Sequence, residues 1–244
     1  MSAPFRLAIT GANGRMGRAL QALLETDTRF DLLARIASSH DWKHVPALDV
    51  MIDFSTPSGF DAALAHCRAN KVALVAGTTG LDANQRRTIE SAAREIPILY
   101  AANFSLGIAV LTKLLRKAAS ALPGWDLEII EAHHSRKVDA PSGTALALGR
   151  AAADARGQDF EHVAVFARNG HTGARPENAI GFASIRAGGI VGEHTALLAT
   201  KGERIELTHR ACDNTIFARG ALQAAAWLAG KPAGTYSLDD VLGV

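Results

Sequence analysis

The sequence of 244 residues has few cysteines, little excess charge and no long apolar run. Its two cysteines, Cys67 and Cys212, are far apart and lie outside any Cys-x-x-Cys pattern. This argues against a disulfide framework or a structural zinc site and fits a reducing cytosol. The formal net charge is only +2, far from the basic excess expected of a nucleic-acid-binding protein, and no apolar run reaches membrane-spanning length. We therefore predict a cytoplasmic protein with no metal site and no nucleic-acid or membrane partner.

The N-terminal segment and the composition bear on targeting and on the number of domains. The segment before Gly11 lacks a basic region followed by a long apolar region, so we predict no signal peptide. We find neither an internal repeat nor a low-complexity linker. Hydrophobic residues make up 48% of the chain and charged residues 20%, which is typical of a globular protein with one large domain or two small ones.

A glycine-rich segment follows the first predicted strand. The apolar run from Arg6 to Thr10 leads into GANGRMG, and an amphipathic helical pattern begins at Met16. In such a turn Gly11 permits the tight bend, Gly14 lets the backbone approach a pyrophosphate, and Gly17 lets the helix pack close to the strand. The spacing is G-x-x-G-x-x-G, so this segment alone is compatible with a dinucleotide site or with an ordinary strand–helix turn.

Strands and helices alternate over the first hundred residues. Four further strands are predicted, spanning Leu32–Ala37, Val50–Phe54, Val72–Ala76 and Ile98–Ala101. This alternation predicts an α/β fold with a Rossmann-like parallel sheet covered on both faces. Ligands of such sheets bind at the carboxyl ends of the strands. Three small, polar segments lie at such ends, GANGRMG, GTTG and AANFS, and we predict that they line one dinucleotide groove.

The second predicted strand ends without the carboxylate that usually binds the ribose 2′-hydroxyl of NAD. Two hydroxyl residues, Ser38 and Ser39, follow this strand, and no carboxylate occurs before Asp41. These hydroxyls, with His40 or Lys43, suit a 2′-phosphate better than an acid would, although two serines can also simply form a turn. We therefore expect NADPH to be used at least as well as NADH.

The pattern changes after Phe104. A long helix is predicted first, and strands with many glycines follow from Val163. The predicted elements are a helix over Leu106–Leu122 and strands over Val163–Phe166, Ile180–Arg186, His194–Ala199 and Glu203–His209. We predict a second, α+β domain with a mixed open sheet. The C-terminal helices are assigned to the first domain, because a helix after an all-strand segment needs a face to cover. The predicted domains are 1–105 with 214–244 for dinucleotide binding, and 106–213 for substrate binding and oligomerisation.

One segment of the second domain concentrates groups that transfer protons or bind anions. It reads EAHHSRKVDAPSGTA, from Glu131 to Ala145. It places His133, His134 and Lys137 in a polar loop between a strand-like run and a helical run. Side-chain charge and the N–H groups of a helix start both suit an anion. Histidine pairs and Lys–Asp neighbours also occur on ordinary solvated loops, so the segment alone leaves that alternative open.

The glycine segment, GTTG, AANFS and EAHHSRKVDAPSGTA occur in an order that resembles the 4-hydroxy-tetrahydrodipicolinate reductase (dihydrodipicolinate reductase) family. The resemblance covers essentially the whole chain and includes HTGAR, IGFASIRAGGIVGEHT and FARGA. It implies an NAD(P)H-dependent oxidoreductase of lysine and diaminopimelate biosynthesis. Such an enzyme reduces the dihydrodipicolinate intermediate, derived from 4-hydroxy-tetrahydrodipicolinate, to tetrahydrodipicolinate. The resemblance also implies a homotetramer built through the strand-rich domain and the use of NADH or NADPH.

The resemblance further implies roles for particular residues. His133 matches the family's proposed proton donor and Lys137 its second catalytic residue. The substrate-binding positions match His134, Gly143 and Thr144. The cofactor-binding positions match Gly11, Ala12, Asn13, Gly14, Arg15 and Met16 at the pyrophosphate and Gly77, Thr78, Thr79, Ala101, Ala102, Asn103 and Phe104 at the nicotinamide end, and we add Ser38 from the end of the second strand.

Two departures from the family's pattern bear on these expectations. Ala37 and Ser38 replace a pair of one acidic and one basic residue after the second strand. Asp213-Asn214 stands where related chains often carry an arginine. The cofactor preference and the role of that arginine are therefore not carried over. Two other functions stay open. Another NAD(P)-dependent dehydrogenase, such as an amino-acid dehydrogenase, would need a different catalytic loop. A non-catalytic dinucleotide sensor would not need the two histidines and the lysine together.

Overall fold

The computed structural model describes residues 3–243, and the chain divides into two compact units. One unit comprises Met1–Leu106 and Thr215–Val244, and the other comprises Gly107–Asn214. Among residues 3–243, no helix is long and apolar enough to cross a bilayer.

The first unit is built on a parallel sheet of six strands in the order β11-β5-β4-β3-β1-β2. The strands are β1 (Phe5–Thr10), β2 (Phe30–Ile36), β3 (Val50–Asp53), β4 (Ala73–Ala76), β5 (Pro97–Tyr100) and β11 (Gly234–Tyr236). Every residue of β3 and β4 is buried, as expected for central strands covered on both faces. The predicted Rossmann-like sheet is confirmed. Strand β11 was not predicted, because three residues are too few to show a pattern.

Helices cover this sheet. They are α1 (Arg15–Leu24), a 3₁₀ helix (Ser39–His44), α2 (Pro57–Asn70), α3 (Ala83–Ala92), α7 (Thr215–Leu228) and α8 (Leu238–Leu242). Helix α2 starts sharply because Thr56 accepts a hydrogen bond from the Gly59 N–H at 3.2 Å and proline follows at the first helical position. Helix α7 is rich in alanine and buries most of one side against the first unit. The start of α2 and the buried side of α7 hold the carboxyl ends of the strands in place.

The second unit contains a mixed sheet of five strands in the order β10-β9-β6-β8-β7. The strands are β6 (Asp126–His133), β7 (Ala164–Val165), β8 (Ile180–Arg186), β9 (Gly192–Ala199) and β10 (Arg204–Ala211), and the helices are α4 (Leu106–Ala121), α5 (Gly143–Ala155) and α6 (Phe160–Val163). Strand β6 pairs parallel with β8 and antiparallel with β9. Burial alternates along β6 and β9, so one face of the sheet packs on a core that includes Leu148 and Phe182. The predicted mixed sheet is confirmed.

Two predicted boundaries in this unit were wrong. Strand β6 continues to His133, and α5 begins at Gly143, so the predicted loop from Glu131 to Ala145 is shorter at both ends. The strand predicted over Val163–Phe166 is shortened to the two-residue β7, because α6 extends to Val163, and Asp159 caps that helix by accepting a hydrogen bond from Glu161 N–H at 3.0 Å. The first of these corrections places the first histidine on a rigid strand.

Candidate active site

A buried carboxylate, Glu131, organises the carboxyl end of β6. Only 1% of its side chain is exposed. Arg186, at the end of β8, donates two hydrogen bonds to it, from Nη1 to Oε2 at 2.9 Å and from Nη2 to Oε1 at 2.7 Å. The backbone N–H of Ser142 donates to Oε1 at 3.2 Å, and His133 Nδ1 lies 2.5 Å from Oε2. The bidentate arginine supplies the charge partner that a buried carboxylate needs.

The charge on Glu131 determines which nitrogen of His133 carries the hydrogen that lies between the two side chains. Burial alone would raise the pKa of Glu131, but hydrogen bonds from Arg186, Ser184 and His133 outweigh burial and lower the pKa to about 2. Glu131 is therefore ionised at neutral pH and can only accept hydrogen bonds. The hydrogen between the two side chains then belongs to His133 Nδ1, and Nε2 is the ring nitrogen that is not bound to Glu131.

A second histidine, His194, packs against this pair from β9. Its ring meets that of His133 edge-on, with 5.2 Å between the ring centroids. Its Nε2 lies 3.1 Å from Ser142 Oγ, and only 4% of the residue is exposed. Burial first and the neighbouring His133 second lower the pKa of His194 to about 4. His194 is therefore neutral at pH 7 and adds no charge to the cluster.

No role was predicted from the sequence for Glu131, Arg186, Ser142 or His194. One signal was available for Glu131, because residues two apart on a strand share a face and Glu131 precedes His133 by two. Arg186 and His194 lie far along the chain and reach the cluster only through the pairing of β6 with β8 and β9. No local pattern marks such a pairing.

Lys137 and His134 lie in the turn that follows β6. The backbone N–H of Lys137 donates to the carbonyl oxygen of His134 at 3.1 Å, which closes the turn. Lys137 Nζ forms an ion pair with Asp139 Oδ1 at 2.8 Å. His134 is half-buried, and its Nδ1 has no hydrogen-bond partner among residues 3–243. The turn therefore presents a cation held by an exposed carboxylate, beside an imidazole whose Nδ1 is buried without a partner in the described residues.

Gly143 and Thr144 form the first turn of α5. Ser142 caps this helix, since its Oγ accepts a hydrogen bond from the Ala145 N–H at 3.2 Å. No atom lies within 4 Å of the place that a side-chain Cβ at Gly143 would occupy, so the backbone there is open to a ligand. The N–H groups of a helix start favour an anion at this place.

In the first unit, the structure brings the glycine segment into a tight turn between β1 and α1. Gly11 has φ +73°, and a Cβ there would lie 2.1 Å from the carbonyl oxygen of Phe54. A Cβ at Gly17 would lie 2.3 Å from the carbonyl oxygen of Gly11. Both positions require glycine, while Gly14 stands at the start of α1. The close backbone approach that these glycines permit suits a turn that binds the pyrophosphate of a dinucleotide.

A cavity of about 510 Å³ in the first unit adjoins this turn. It is lined by Thr10, Gly11, Asn13, Gly14, Ile36, Ala37, Ser38, Ser39, Trp42, Phe54, Ser55, Thr56, Ser58, Gly59 and Ala62. Four of the predicted cofactor residues therefore line it, namely Gly11, Asn13, Gly14 and Ser38. Arg15 and Met16 open the adjoining α1, and Ala12 is almost fully buried in the turn. The size of this cavity, the open helix start beside it and its small lining residues fit the adenosine half of a dinucleotide.

The predicted nicotinamide residues lie at the ends of β4 and β5, outside the lining of that cavity. They are Gly77, Thr78, Thr79, Ala101, Ala102, Asn103 and Phe104. Phe54 connects these segments to the end of β3, since its ring meets that of Phe104 edge-on with 5.5 Å between centroids, and a Cβ at Gly77 would lie 2.1 Å from the same ring. Thr78 and Phe104 are almost fully buried, so their side chains shape this end of the sheet from below its surface.

A second buried carboxylate, Asp53, joins three strand ends. It accepts hydrogen bonds from the hydroxyls of Thr10, Ser55 and Thr78, at 2.5 Å from Ser55 Oγ and 2.6 Å from Thr78 Oγ1. Thr78 Oγ1 in turn accepts the Ser55 N–H at 2.8 Å. The carboxyl ends of β1, β3 and β4 are therefore fixed to one another by one side chain.

The end of β2 differs from the expectation. No carboxylate near Ser38 was predicted from the sequence, but Asp41 turns back to this strand end. Its Oδ2 accepts hydrogen bonds from the N–H groups of Ala37 and Ser38, at 2.8 and 2.7 Å, and lies 3.1 Å from Ser38 Oγ. The reason is local, since Asp41 and Ser38 form the capping box of the 3₁₀ helix.

Neither cysteine belongs to these clusters. Cys67 is buried beside Met51, and burial raises the pKa of its thiol, which is the behaviour of a packing residue. Cys212 is exposed. In the part of the chain that the structure describes, no group of three or more His, Cys, Asp or Glu side chains is arranged to hold a metal ion.

A parallel sheet with a glycine turn, together with a separate unit that carries an ordered histidine, defines an oxidoreductase of the Rossmann class. Family models described as the N-terminus and the C-terminus of dihydrodipicolinate reductase match residues 5–104 and 107–242. The 4-hydroxy-tetrahydrodipicolinate reductase of Pseudomonas fluorescens is 45% identical over 263 aligned residues, which cover 97% of this chain and 98% of the relative. The chain belongs to the dihydrodipicolinate reductase family.

Solved structures support the fold. A dipicolinate-bound dihydrodipicolinate reductase from Paenisporosarcina sp. TG-14 is similar with a TM-score of 0.78 at 23% identity, over 96% of this chain and 97% of that chain. A DAP dehydrogenase from C. glutamicum in complex with DAP is similar with a TM-score of 0.56 at 14% identity, over 97% and 93% of the two chains. At these identities the likeness shows the fold alone.

Proposed function

We propose that this protein reduces the dihydrodipicolinate intermediate to tetrahydrodipicolinate with NADPH or NADH, as a step of lysine and diaminopimelate biosynthesis. The observation that carries the proposal is the ionised, buried Glu131, which fixes the hydrogen of His133 Nδ1 beside a cationic turn and an open helix start. Family membership over both units supports it. A related enzyme binds dipicolinate, a planar dicarboxylate of the same chemical class as the proposed substrate.

The reaction requires a hydride and a proton. The substrate is a cyclic dicarboxylate in which a carbon–carbon double bond is conjugated to an imine. Reduction adds hydride to ring carbon 4 and leaves an enamine that is protonated at carbon 3. The bound reduced nicotinamide supplies the hydride. This chain must supply the proton, a site for the two carboxylates and a fixed orientation of the ring.

His133 is the proposed acid. Its Nδ1–H stays bound to Glu131 throughout, so the proton that reaches carbon 3 leaves from Nε2. The ring cannot turn away, because Glu131 is itself held by both terminal nitrogens of Arg186. After transfer the imidazole is neutral and keeps its bond to the carboxylate. An oriented imidazole that regains a proton from water can repeat the cycle.

The carboxylate sites are proposed at the turn after β6 and at the start of α5. Lys137 pairs with the exposed Asp139, and an exposed ion pair of this kind contributes little stability. A substrate carboxylate can therefore replace Asp139 on Lys137 at little cost. The backbone N–H groups of Gly143 and Thr144 suit a second anionic group, and His134, in the turn after β6, is proposed as a further substrate contact.

In the first unit, we propose that the glycine turn and the adjoining cavity hold the pyrophosphate and adenosine of the dinucleotide. The ends of β4 and β5 hold its nicotinamide end, and Asp53 binds the end of β4 to the ends of β1 and β3 beside the glycine turn. We also propose a cytoplasmic homotetramer assembled through the second unit. The exposed apolar side chains of Ile185 and Ile205, on β8 and β10, support assembly through that sheet.

Steady-state kinetics test the proposal. Folded protein should consume reduced nicotinamide when mixed with freshly generated substrate, and no consumption with either cofactor would refute the activity. His133→Gln should lower kcat by about 10²–10⁴-fold with a modest change in KM, as expected for loss of a general acid. Lys137→Ala should impair both constants, because a carboxylate site acts on ground state and transition state alike. His134→Ala should mainly raise KM.

A matched control is available at His162, which is exposed and pairs with Asp159. His162→Gln should leave both constants unchanged. If His133→Gln kept a near-parental kcat, the proton would have to come from Lys137 or a bound water, and the assignment of the acid would be wrong.

A further inference from the structure

Gly192, the first residue of β9, lies beside the ring of His133. Strands β6 and β9 pair antiparallel, and their register ends with Ala132 opposite Glu193, so His133 and Gly192 are the next residues along the two strands. Gly192 is buried. It stands two residues before His194 and therefore on the same face of the sheet. Because glycine has no side chain, its contribution to this face is the space that it leaves.

The imidazole of His133 uses that space. A Cβ at position 192 would lie 3.2 Å from His133 Nε2 and 3.5 Å from His133 Cδ2, with His194 Cε1 next at 4.0 Å. Non-bonded carbon atoms are best separated by about 3.5–4.0 Å, so a methyl group at this place would crowd the Nε2 edge of the ring. The φ of Gly192 lies outside the left-handed region, so the backbone conformation does not require glycine here. The packing of the imidazole does.

The ring of His133 has little freedom to yield to such a methyl group. Its Nδ1 lies 2.5 Å from Glu131 Oε2, and Glu131 is held in turn by both terminal nitrogens of Arg186. His194 meets the ring edge-on, with 5.2 Å between the ring centroids. A displaced ring would therefore have to change its bond to Glu131, its contact with His194, or both. Nε2 would move with the ring, so its position depends on residue 192 as well as on Glu131.

We propose that Gly192 is a positioning residue for the acid. Its missing side chain leaves the room in which His133 keeps its bond to Glu131 while Nε2 is held at the place where the substrate takes its proton. The inference rests on the proposed function, in which His133 protonates ring carbon 3. It adds a requirement from a second strand, β9, to a site whose histidines and lysine all come from β6 and the turn that follows it.

Proton NMR of the full-length protein tests the ring position without substrate. An imidazole N–H that donates to a carboxylate forms a short, strong hydrogen bond, and its hydrogen resonates downfield of the amide protons. His133→Ala should remove this resonance and so identify it. Gly192→Ala should shift or broaden the resonance, because the added methyl group displaces the ring. An unchanged resonance in Gly192→Ala overturns the proposal.

Gly189→Ala is the matched control. Gly189 lies in the connection between β8 and β9, is exposed, and also has a φ outside the left-handed region. No atom lies within 4 Å of the place that its Cβ would occupy. The two variants therefore add the same methyl group, and only the one at position 192 meets the imidazole. Gly189→Ala should keep the wild-type resonance and both kinetic constants.

Steady-state kinetics relate the ring position to the reaction. Gly192→Ala should lower kcat by at least about tenfold with little change in KM, because misplacing a reacting group by about 1 Å can cost about 10²-fold in rate. A parental kcat in this variant overturns the proposal, as does an equal loss in Gly189→Ala. If the wild-type protein shows no turnover, the proposed function fails, and the resonance alone decides whether Gly192 sets the ring position.

A double variant covers the case in which Gly192→Ala does not fold. Removing the imidazole with His133→Ala takes away the two atoms nearest to the added Cβ and leaves only His194 Cε1, at an ordinary contact distance of 4.0 Å. His133→Ala combined with Gly192→Ala should therefore fold as well as His133→Ala alone, as measured by urea unfolding. A double variant that stays unfolded while His133→Ala folds would show that the methyl group clashes elsewhere, and the proposal would be wrong.

Discussion

Burial of His194 should make the second unit sensitive to mild acid. Burial and the adjacent His133 lower the pKa of His194 from 6.5 to about 4. In the unfolded chain the pKa returns to its ordinary value, so acid protonates the unfolded state first. A depressed pKa means that the stabilising effect is complete above pH 6.5 and is lost as the pH falls through about 4. The affected window is therefore mildly acidic.

The size of this effect follows from the same two values. One pKa unit corresponds to about 1.4 kcal/mol, so His194 alone should remove about 3 kcal/mol from the free energy of unfolding between pH 7 and pH 4. His194→Gln should remove this part of the pH dependence, because glutamine does not titrate and can still bond to Ser142 Oγ. The loss on acidification should therefore be about 3 kcal/mol smaller in the variant than in the wild-type protein.

Urea unfolding across this range measures the difference, followed by hydrogen exchange of the β6 and β9 amides so that the second unit is observed by itself. His162→Gln serves as the control, because this histidine is 84% exposed, and it should keep the wild-type pH dependence. If wild type and His194→Gln lost stability in parallel from pH 7 to pH 4, His194 would not be held neutral and the electrostatic account of the cluster would be wrong.

Two further predictions concern the buried carboxylates. Glu131→Gln should lower kcat by about 10- to 100-fold, the usual cost of losing a partner that orients an imidazole. Glu131→Asp should recover part of the lost kcat. A Glu131→Gln variant with unchanged kcat and pH profile would show that the carboxylate does not orient His133. Asp53→Asn should weaken binding of NADH by about tenfold through loosening of the β1, β3 and β4 ends, while the His133 cluster keeps its hydrogen-exchange protection. Calorimetry measures the affinity and hydrogen exchange measures the protection. Unchanged affinity would contradict the role given to Asp53.

The sequence predicted the elements whose burial follows a simple period. The strand Ile180–Arg186 was predicted with its observed bounds, because apolar residues or turn signals mark both ends. The end of β6 was not, since the strand continues through Glu131 and His133, two polar residues that sequence patterns assign to a loop. Strand pairing extends it, with His133 opposite Arg186 on β8.

The residues of the candidate sites also divide into those that the sequence predicts and those that it does not. Residues that a motif carries, such as His133 and Gly11, could be named from the sequence. The partners that orient them could not, because register decides them: Arg186 meets Glu131 only through the pairing of β6 with β8. Asp41 was misjudged for a local reason. Four residues after the strand end looked too far, yet a capping box returns its carboxylate to that end.

Three carboxylates therefore determine how the motif residues act. Glu131 binds Nδ1 of His133, Asp53 fixes the strand ends that carry the glycine turn and Thr78, and Asp41 occupies the donors of Ser38. In each case the acid leaves the motif residue's identity unchanged but decides which of its atoms is available to a ligand. A role transferred to His133, Thr78 or Ser38 by resemblance thus holds only while its carboxylate partner is also present, and replacing that partner is the more discriminating experiment.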